Sequence, residues 1–207
     1  MGRLIDAVTI DAYGTLVELE DPVPRLQAAL AQRDVERTRD AIAAAFEAEL
    51  AYYAAHRLEG RDEATLMQLR ADCASVFVRA AGVDLGGAEF SDEFQAALVF
   101  APLPGVREAL ARLRSLGLAL GVVSNWDCGL AEHLERLGLR VDVVVTAAEA
   151  GVEKPDPAIF RIALERLEAR AERALHVGDA PADEEGARRA GMAYAPPPLA
   201  DVAERLA

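Results

Sequence analysis

The chain has 207 residues, 52% hydrophobic and 28% charged, which is enough apolar material for one core plus a small insertion and excludes a disordered chain. Lysine and arginine number 22 against 35 aspartates and glutamates, and the resulting formal net charge of −13 argues against nucleic acid or an anionic membrane as partner. With two cysteines, Cys73 and Cys128, no run long enough to span a bilayer and no secretion-type N-terminus, a reduced cytoplasmic protein without a disulfide framework is expected, as monomer or homodimer.

The first strand-like run covers residues 5 to 10 and ends in Asp11, followed by Ala12-Tyr13-Gly14-Thr15-Leu16. Residues 20 to 98 then read as helix, rich in Ala, Leu, Glu and Arg. Breaks at Pro22 and Pro24, at Arg33-Asp34, at Glu59 to Asp62 and at Gly82 to Gly87 divide this stretch into four helices. Ala101-Pro102-Leu103-Pro104-Gly105 marks a change of pattern, after which Val106, Leu110, Leu113 and Leu116 give an amphipathic helix closed by Gly117. Further strand-like runs follow at 118 to 123, 141 to 145 and 174 to 178, each leading into helical patterning. Pro196-Pro197-Pro198 predicts a stiff turn before a last short helix. Such alternation predicts an α/β fold, a doubly wound parallel sheet of Rossmann-like type. The core is expected from residues 1 to 19 and 99 to 207, with residues 20 to 98 inserted as a helical-bundle cap domain.

Polar residues at the strand ends carry the chemistry. Asp11 closes one apolar strand, and Gly14 lets the backbone turn sharply after it. Ser124 and Asn125 close a second strand, Val122-Val123. Gly151-Val152-Glu153-Lys154-Pro155-Asp156-Pro157 sets one lysine in a loop before a helix. His176-Val177-Gly178-Asp179 ends a third strand in an acid, with Asp183 four residues on. In an open α/β sheet the crevice beyond the strand ends collects ligands, and a carboxylate there can act as a nucleophile. Taken singly, each residue has a structural alternative: turn, helix cap or surface lysine. His176, inside a strand, reads as a buried, satisfied histidine, and His56 and His133 as helix-surface residues.

The four fragments in this order resemble the haloacid dehalogenase-like (HAD) hydrolase superfamily over nearly the whole chain. The resemblance implies that Asp11 is the nucleophile, that Ser124 and Lys154 are catalytic and bind substrate oxygens, and that Thr15 and Asn125 also face the substrate. It further implies Mg²⁺ held by Asp11, the main-chain carbonyl of Tyr13 and Asp179, with Gly14 and Asp183 in support. Mg²⁺ suits an oxygen-only shell with one or two carboxylates. Asp183 would accept hydrogen bonds from metal-bound water or loop amides, or cap a helix. The implied substrate is a small phosphorylated metabolite, drawn in by the metal and Lys154 against the global charge.

Tyr13 departs from the family's phosphatases, which carry a second aspartate at that position as acid and base. A phenol does not take up a proton at neutral pH as a carboxylate does, so slow turnover is expected. Asp-x-Tyr-Gly-Thr is also similar to the L-2-haloacid dehalogenases, which need no metal. Against that branch, Glu47 follows Ile42-Ala43-Ala44-Ala45-Phe46 where those enzymes place a halide-accepting arginine, unless Arg57 or Arg61 substitutes. Gly178-Asp179 with Asp183 is likewise of the metal type. The expected activity is a Mg²⁺-dependent phosphatase, with a dehalogenase and a non-catalytic binding domain as the alternatives.

Overall fold

The apolar runs become strands of one parallel sheet. The computed structural model describes residues 5–207. In chain order, strand β1 (Ala7–Ile10) is followed by the short β2 (Val17–Leu19). Four helices come next: α1 (Val23–Ala31), α2 (Arg39–His56), α3 (Glu63–Ala80) and α4 (Gly87–Ala97). Then come β3 (Phe100–Pro102), α5 (Val106–Ser115), β4 (Ala119–Ser124), α6 (Leu130–Arg136), β5 (Val143–Thr146) and the single turn α7 (Ala147–Ala150). The chain ends with α8 (Pro157–Arg166), β6 (Ala174–Val177), α9 (Pro181–Arg189), β7 (Ala193–Ala195) and α10 (Leu199–Leu206). Among the described residues, no helix is long and apolar enough to cross a membrane.

The chain forms two compact units, one made of the residues up to Glu18 with Ala101–Ala207, the other of Leu19–Phe100. In the first, the sheet order is β5-β4-β1-β6-β7, with every pairing parallel. β1 and β6 are buried along their whole length, and β4 from its second residue onward, as expected of strands covered on both faces. The sequence reverses its direction of travel across the sheet at β1, with β4 on one side and β6 on the other. That is the topological switch point at which open α/β sheets bind ligands. The doubly wound α/β architecture is therefore as expected from the alternating pattern. A fifth strand, β7, was not foreseen, because Ala193-Tyr194-Ala195 is too short to show a period. Its place at the sheet edge comes from pairing with β6.

The Leu19–Phe100 unit has its own core of Leu26, Leu30, Ile42, Phe46, Leu69, Phe77, Phe90 and Phe94. Phe77 lies 5.1 Å from Phe94 and 6.1 Å from Phe90 between ring centroids. Helix starts are chemically marked: Thr38 Oγ1 accepts from Ala41 N at the start of α2, and Asp62 with Thr65 forms a reciprocal cap on α3. His56 is half-buried rather than free on a helix surface. Its ring stacks on Tyr52 at 3.9 Å, and its Nδ1 lies 2.8 Å from the Tyr52 carbonyl oxygen. His133 is likewise half-buried, with its ring 6.1 Å from that of Trp126. Glu47 is exposed on α2.

Candidate functional site

The carboxyl ends of β1, β4 and β6 hold the polar residues that the strand pattern singled out. Asp11 leaves β1 directly, and its amide donates to the Val177 carbonyl at 2.8 Å, tying the tips of β1 and β6 together. Ser124 is the last residue of β4 and is buried. Lys154 reaches the centre from the loop before α8, a helix started by Pro157 and capped by Asp156, whose Oδ1 accepts from Ala158 N at 2.8 Å. Asn125 fixes that loop. Its Oδ1 accepts from Lys154 N at 2.7 Å and its Nδ2 donates to the Lys154 carbonyl at 3.2 Å.

Lys154 is the hub. Its Nζ donates to Asp11 Oδ1 at 2.5 Å and to Asp183 Oδ1 at 2.6 Å, and all three side chains are buried. Asp183 Oδ2 accepts from the Ala180 amide at 3.1 Å, so both of its oxygens are engaged. Burial alone would raise the Asp183 pKa, but the hydrogen bond from His176 and the charge of Lys154 outweigh it and hold the group at about 2.

Asp179 completes the cluster. One carboxylate oxygen each from Asp11, Asp179 and Asp183 lie within 4.8 Å of one another. Asp179 itself is exposed, and its pKa is raised, first by desolvation and then by the negative charge of Asp11. One ammonium against three carboxylates leaves two negative charges uncancelled, a balance that one divalent cation restores. The donors are all oxygen, and those of Asp11 and Asp179 are the ones not held between Lys154 and His176, so the set fits a hard cation such as Mg²⁺. Thr15 Oγ1 is buried with no hydrogen-bond partner among the described residues, a cost of about 1–3 kcal/mol unless a ligand oxygen meets it.

Tyr13 differs from its neighbours in being 53% exposed. Gly14 has φ +79°, and a Cβ there would stand 2.4 Å from Asp179 Oδ2. Gly14→Ala should therefore cost about 1–2 kcal/mol in left-handed backbone alone and push the Asp179 carboxylate aside. Urea denaturation would show the first effect and a weakened Mg²⁺ titration the second. At Gly178, an added Cβ would lie 2.3 Å from the Asp183 carboxyl carbon, so that glycine makes room for the acid.

Thr9 and Tyr194 near the site were not picked out from the sequence, while His176, read there as a buried and satisfied histidine, is both. Thr9, His176 and Tyr194 stand in register across β1, β6 and β7. His176 Nε2 lies 2.9 Å from Asp183 Oδ1, and its Nδ1 lies 2.9 Å from Thr9 Oγ1. Tyr194 Oη donates to the Gly178 carbonyl at 2.9 Å, next to Asp179. For Thr9 the signal was available: a polar side chain in a strand buried on both faces must find a partner.

Residues 5–191 match the haloacid dehalogenase-like hydrolase family, and the chain belongs to it. Its curated relatives include the haloacid dehalogenase-like hydrolase domain-containing protein 3 of Mus musculus, 40% identical over 104 residues, which cover 49% of this chain and 41% of the relative. A glyceraldehyde 3-phosphate phosphatase of Methanopyrus kandleri is 45% identical over 98 residues, 44% of this chain and 41% of that protein. The match thus spans about two fifths of the length of each of these relatives. In fold, the chain is similar to the crystal structure of a defluorinating L-2-haloacid dehalogenase, with a TM-score of 0.76 at 20% identity, covering 98% of this chain and 95% of that one.

Proposed function

We propose that the protein is a Mg²⁺-dependent phosphatase acting on a small phosphorylated metabolite, with Asp11 as nucleophile. The observation that carries this reading is the grouping of Asp11, Asp179 and Asp183 around the single ammonium of Lys154. The phosphatase named among the relatives supports the same bond class. Asp11, Asp179 and the Tyr13 main-chain carbonyl would hold the cation, which when bound supplies charge neutralisation for the transferred phosphoryl group.

The oxygen of Asp11 that Lys154 leaves open attacks phosphorus in line with the leaving alkoxide. Lys154, Ser124 and the unpartnered hydroxyl of Thr15 bind the non-bridging oxygens. Asn125 acts by clamping the main chain of Lys154. The alkoxide leaves and takes its proton from water, since position 13 offers no carboxylic acid. Water then attacks the phosphorus of the aspartyl-phosphate, releasing phosphate and restoring the Asp11 carboxylate. Residues 20–98 serve in this reading as the cap domain that sets specificity.

The test is a substrate panel. p-Nitrophenyl phosphate should be hydrolysed with millimolar Mg²⁺, more slowly than by enzymes with an aspartate at position 13. Hydrolysis should cease in EDTA and in Asp11→Asn. Chloride release from L-2-chloropropionate in EDTA would instead assign a dehalogenase. Release of neither product would assign a binding domain.

A further inference from the structure

We propose that His176, backed by Thr9, is a positioning residue for Lys154: a neutral imidazole whose Nε2–H holds Asp183 in the orientation that aims the ammonium at Asp11. Asp183 Oδ1 lies 2.9 Å from His176 Nε2 and 2.6 Å from Lys154 Nζ. An ionised carboxylate only accepts, so His176 Nε2 must carry a proton. Nδ1 faces the Thr9 hydroxyl at 2.9 Å, which can donate to it only if that nitrogen is bare. The Nε2–H tautomer satisfies every atom of the chain: Thr9 donates to His176, His176 to Asp183, and Lys154 to both Asp183 and Asp11.

The opposite tautomer would set a nitrogen lone pair against the Asp183 carboxylate. A doubly protonated ring would reverse the Thr9 bond, making the hydroxyl an acceptor, and would add a second buried cation beside Lys154. Burial pushes the His176 pKa down, which favours the neutral ring. The ring has little freedom to turn, because Phe160 meets it edge-on at a centroid distance of 4.9 Å and an interplanar angle of 89°. His176 and Asp183 are fully buried, so water does not compete for these bonds.

Asp183 thus has one oxygen shared between a cation and a fixed neutral donor, and the other pinned by the Ala180 amide. Without His176 the carboxylate can rotate about its side-chain bonds, and Lys154 follows it away from Asp11. The kinetic part of the test rests on the phosphatase reading, while the tautomer can be read without any activity. Nitrogen-15 NMR of the full chain, with His176 assigned by its loss in His176→Gln, should show a neutral Nε2–H ring between pH 6 and 8. In Thr9→Val that pattern should give way to a tautomer mixture. A Nδ1–H ring or an imidazolium in the unsubstituted protein would overturn the proposal.

With p-nitrophenyl phosphate, His176→Leu should lower kcat by about 10–100-fold, the range usual for loss of a supporting hydrogen bond. His176→Gln, whose amide nitrogen replaces the Nε2 donor, should recover most of that loss although its thermal stability falls similarly. Equal impairment of the two variants would make His176 a packing residue and sink the proposal. If the unsubstituted protein were inert, the phosphatase reading would fail, and the NMR result would still decide this one.

Discussion

Lys154→Met is expected to impair more than turnover: it should also lower folding stability by about 3–5 kcal/mol, because it strands Asp11 and Asp183 as buried carboxylates without their counter-ion. The ion pairs are 2.5 and 2.6 Å long, with Lys154 side-chain exposure of 4% and that of Asp183 zero, so bulk water does not screen them. Activity toward p-nitrophenyl phosphate should fall by about 10²–10³-fold, the usual consequence of removing one donor to a developing oxyanion. Adding Asp183→Asn to Lys154→Met should return part of the stability, since one stranded charge is gone, yet none of the activity. Chemical denaturation of the single and double variants measures this coupling directly. The pH dependence has a definite sign. The folded pKa of Asp183, about 2, lies below the ordinary value of 3.8. Its contribution is therefore complete above pH 3.8 and disappears as pH falls through 2. In Lys154→Met that contribution should shrink, so the variant should lose less stability than the unsubstituted protein as pH falls from 3.8 to about 2.

The second large effect lies in the helical unit. Ile42, Ala45, Phe46 and Glu49 follow one stripe of α2 at helical spacing, and the stripe is buried even where it carries an acid. Glu49 is 4% exposed, and desolvation pushes its pKa up to about 7, against a smaller opposite effect of the hydrogen bond with Cys73 on α3. An unfolded glutamate titrates near 4.5, so the folded state retains a proton that the unfolded state has released. Stability must then fall as pH rises from 4.5 to 7 and level off above. At about 1.4 kcal/mol per pKa unit, the loss amounts to roughly 3 kcal/mol. Glu49→Gln keeps the shape and removes the ionisation. It should be about 3 kcal/mol more stable than the unsubstituted protein at pH 8 and about equal to it at pH 4. Urea midpoints at the two pH values give the difference, and parallel pH profiles for the two proteins would show that Glu49 finds a charged partner or water.

Much of this site could be read from residue order. Strands covered on both faces are mostly apolar, so Asp11, Ser124 and Asp179 stand out as polar side chains at or just past their carboxyl ends. Lys154 could be picked out because Pro155-Asp156-Pro157 announces a helix start. Partner choice was harder to read. Asn125 was expected to face substrate, yet both ends of its amide meet the main chain of Lys154, 29 residues away, and only the fold brings them together. Asp183 had two readings, loop-amide acceptor or helix cap, and its Oδ2 does accept the Ala180 amide. Its other oxygen meets Lys154 and His176, contacts that depend on the pairing of β1 with β6 and on the loop before α8. Glu49 was passed over because a glutamate on a helix is usually solvated, and the stripe it interrupts shows only when α2 is read at its helical period.

The central claim is that Asp11 takes the phosphoryl group onto its own carboxylate. Acid-quenching the Mg²⁺-loaded enzyme during turnover of p-nitrophenyl phosphate, then digesting it and weighing the peptides, tests that claim most directly. A phosphoryl adduct is expected on the peptide containing Asp11, removed by hydroxylamine and absent from Asp11→Asn. Steady phosphate release with no adduct on that peptide, and undiminished in Asp11→Asn, would contradict it.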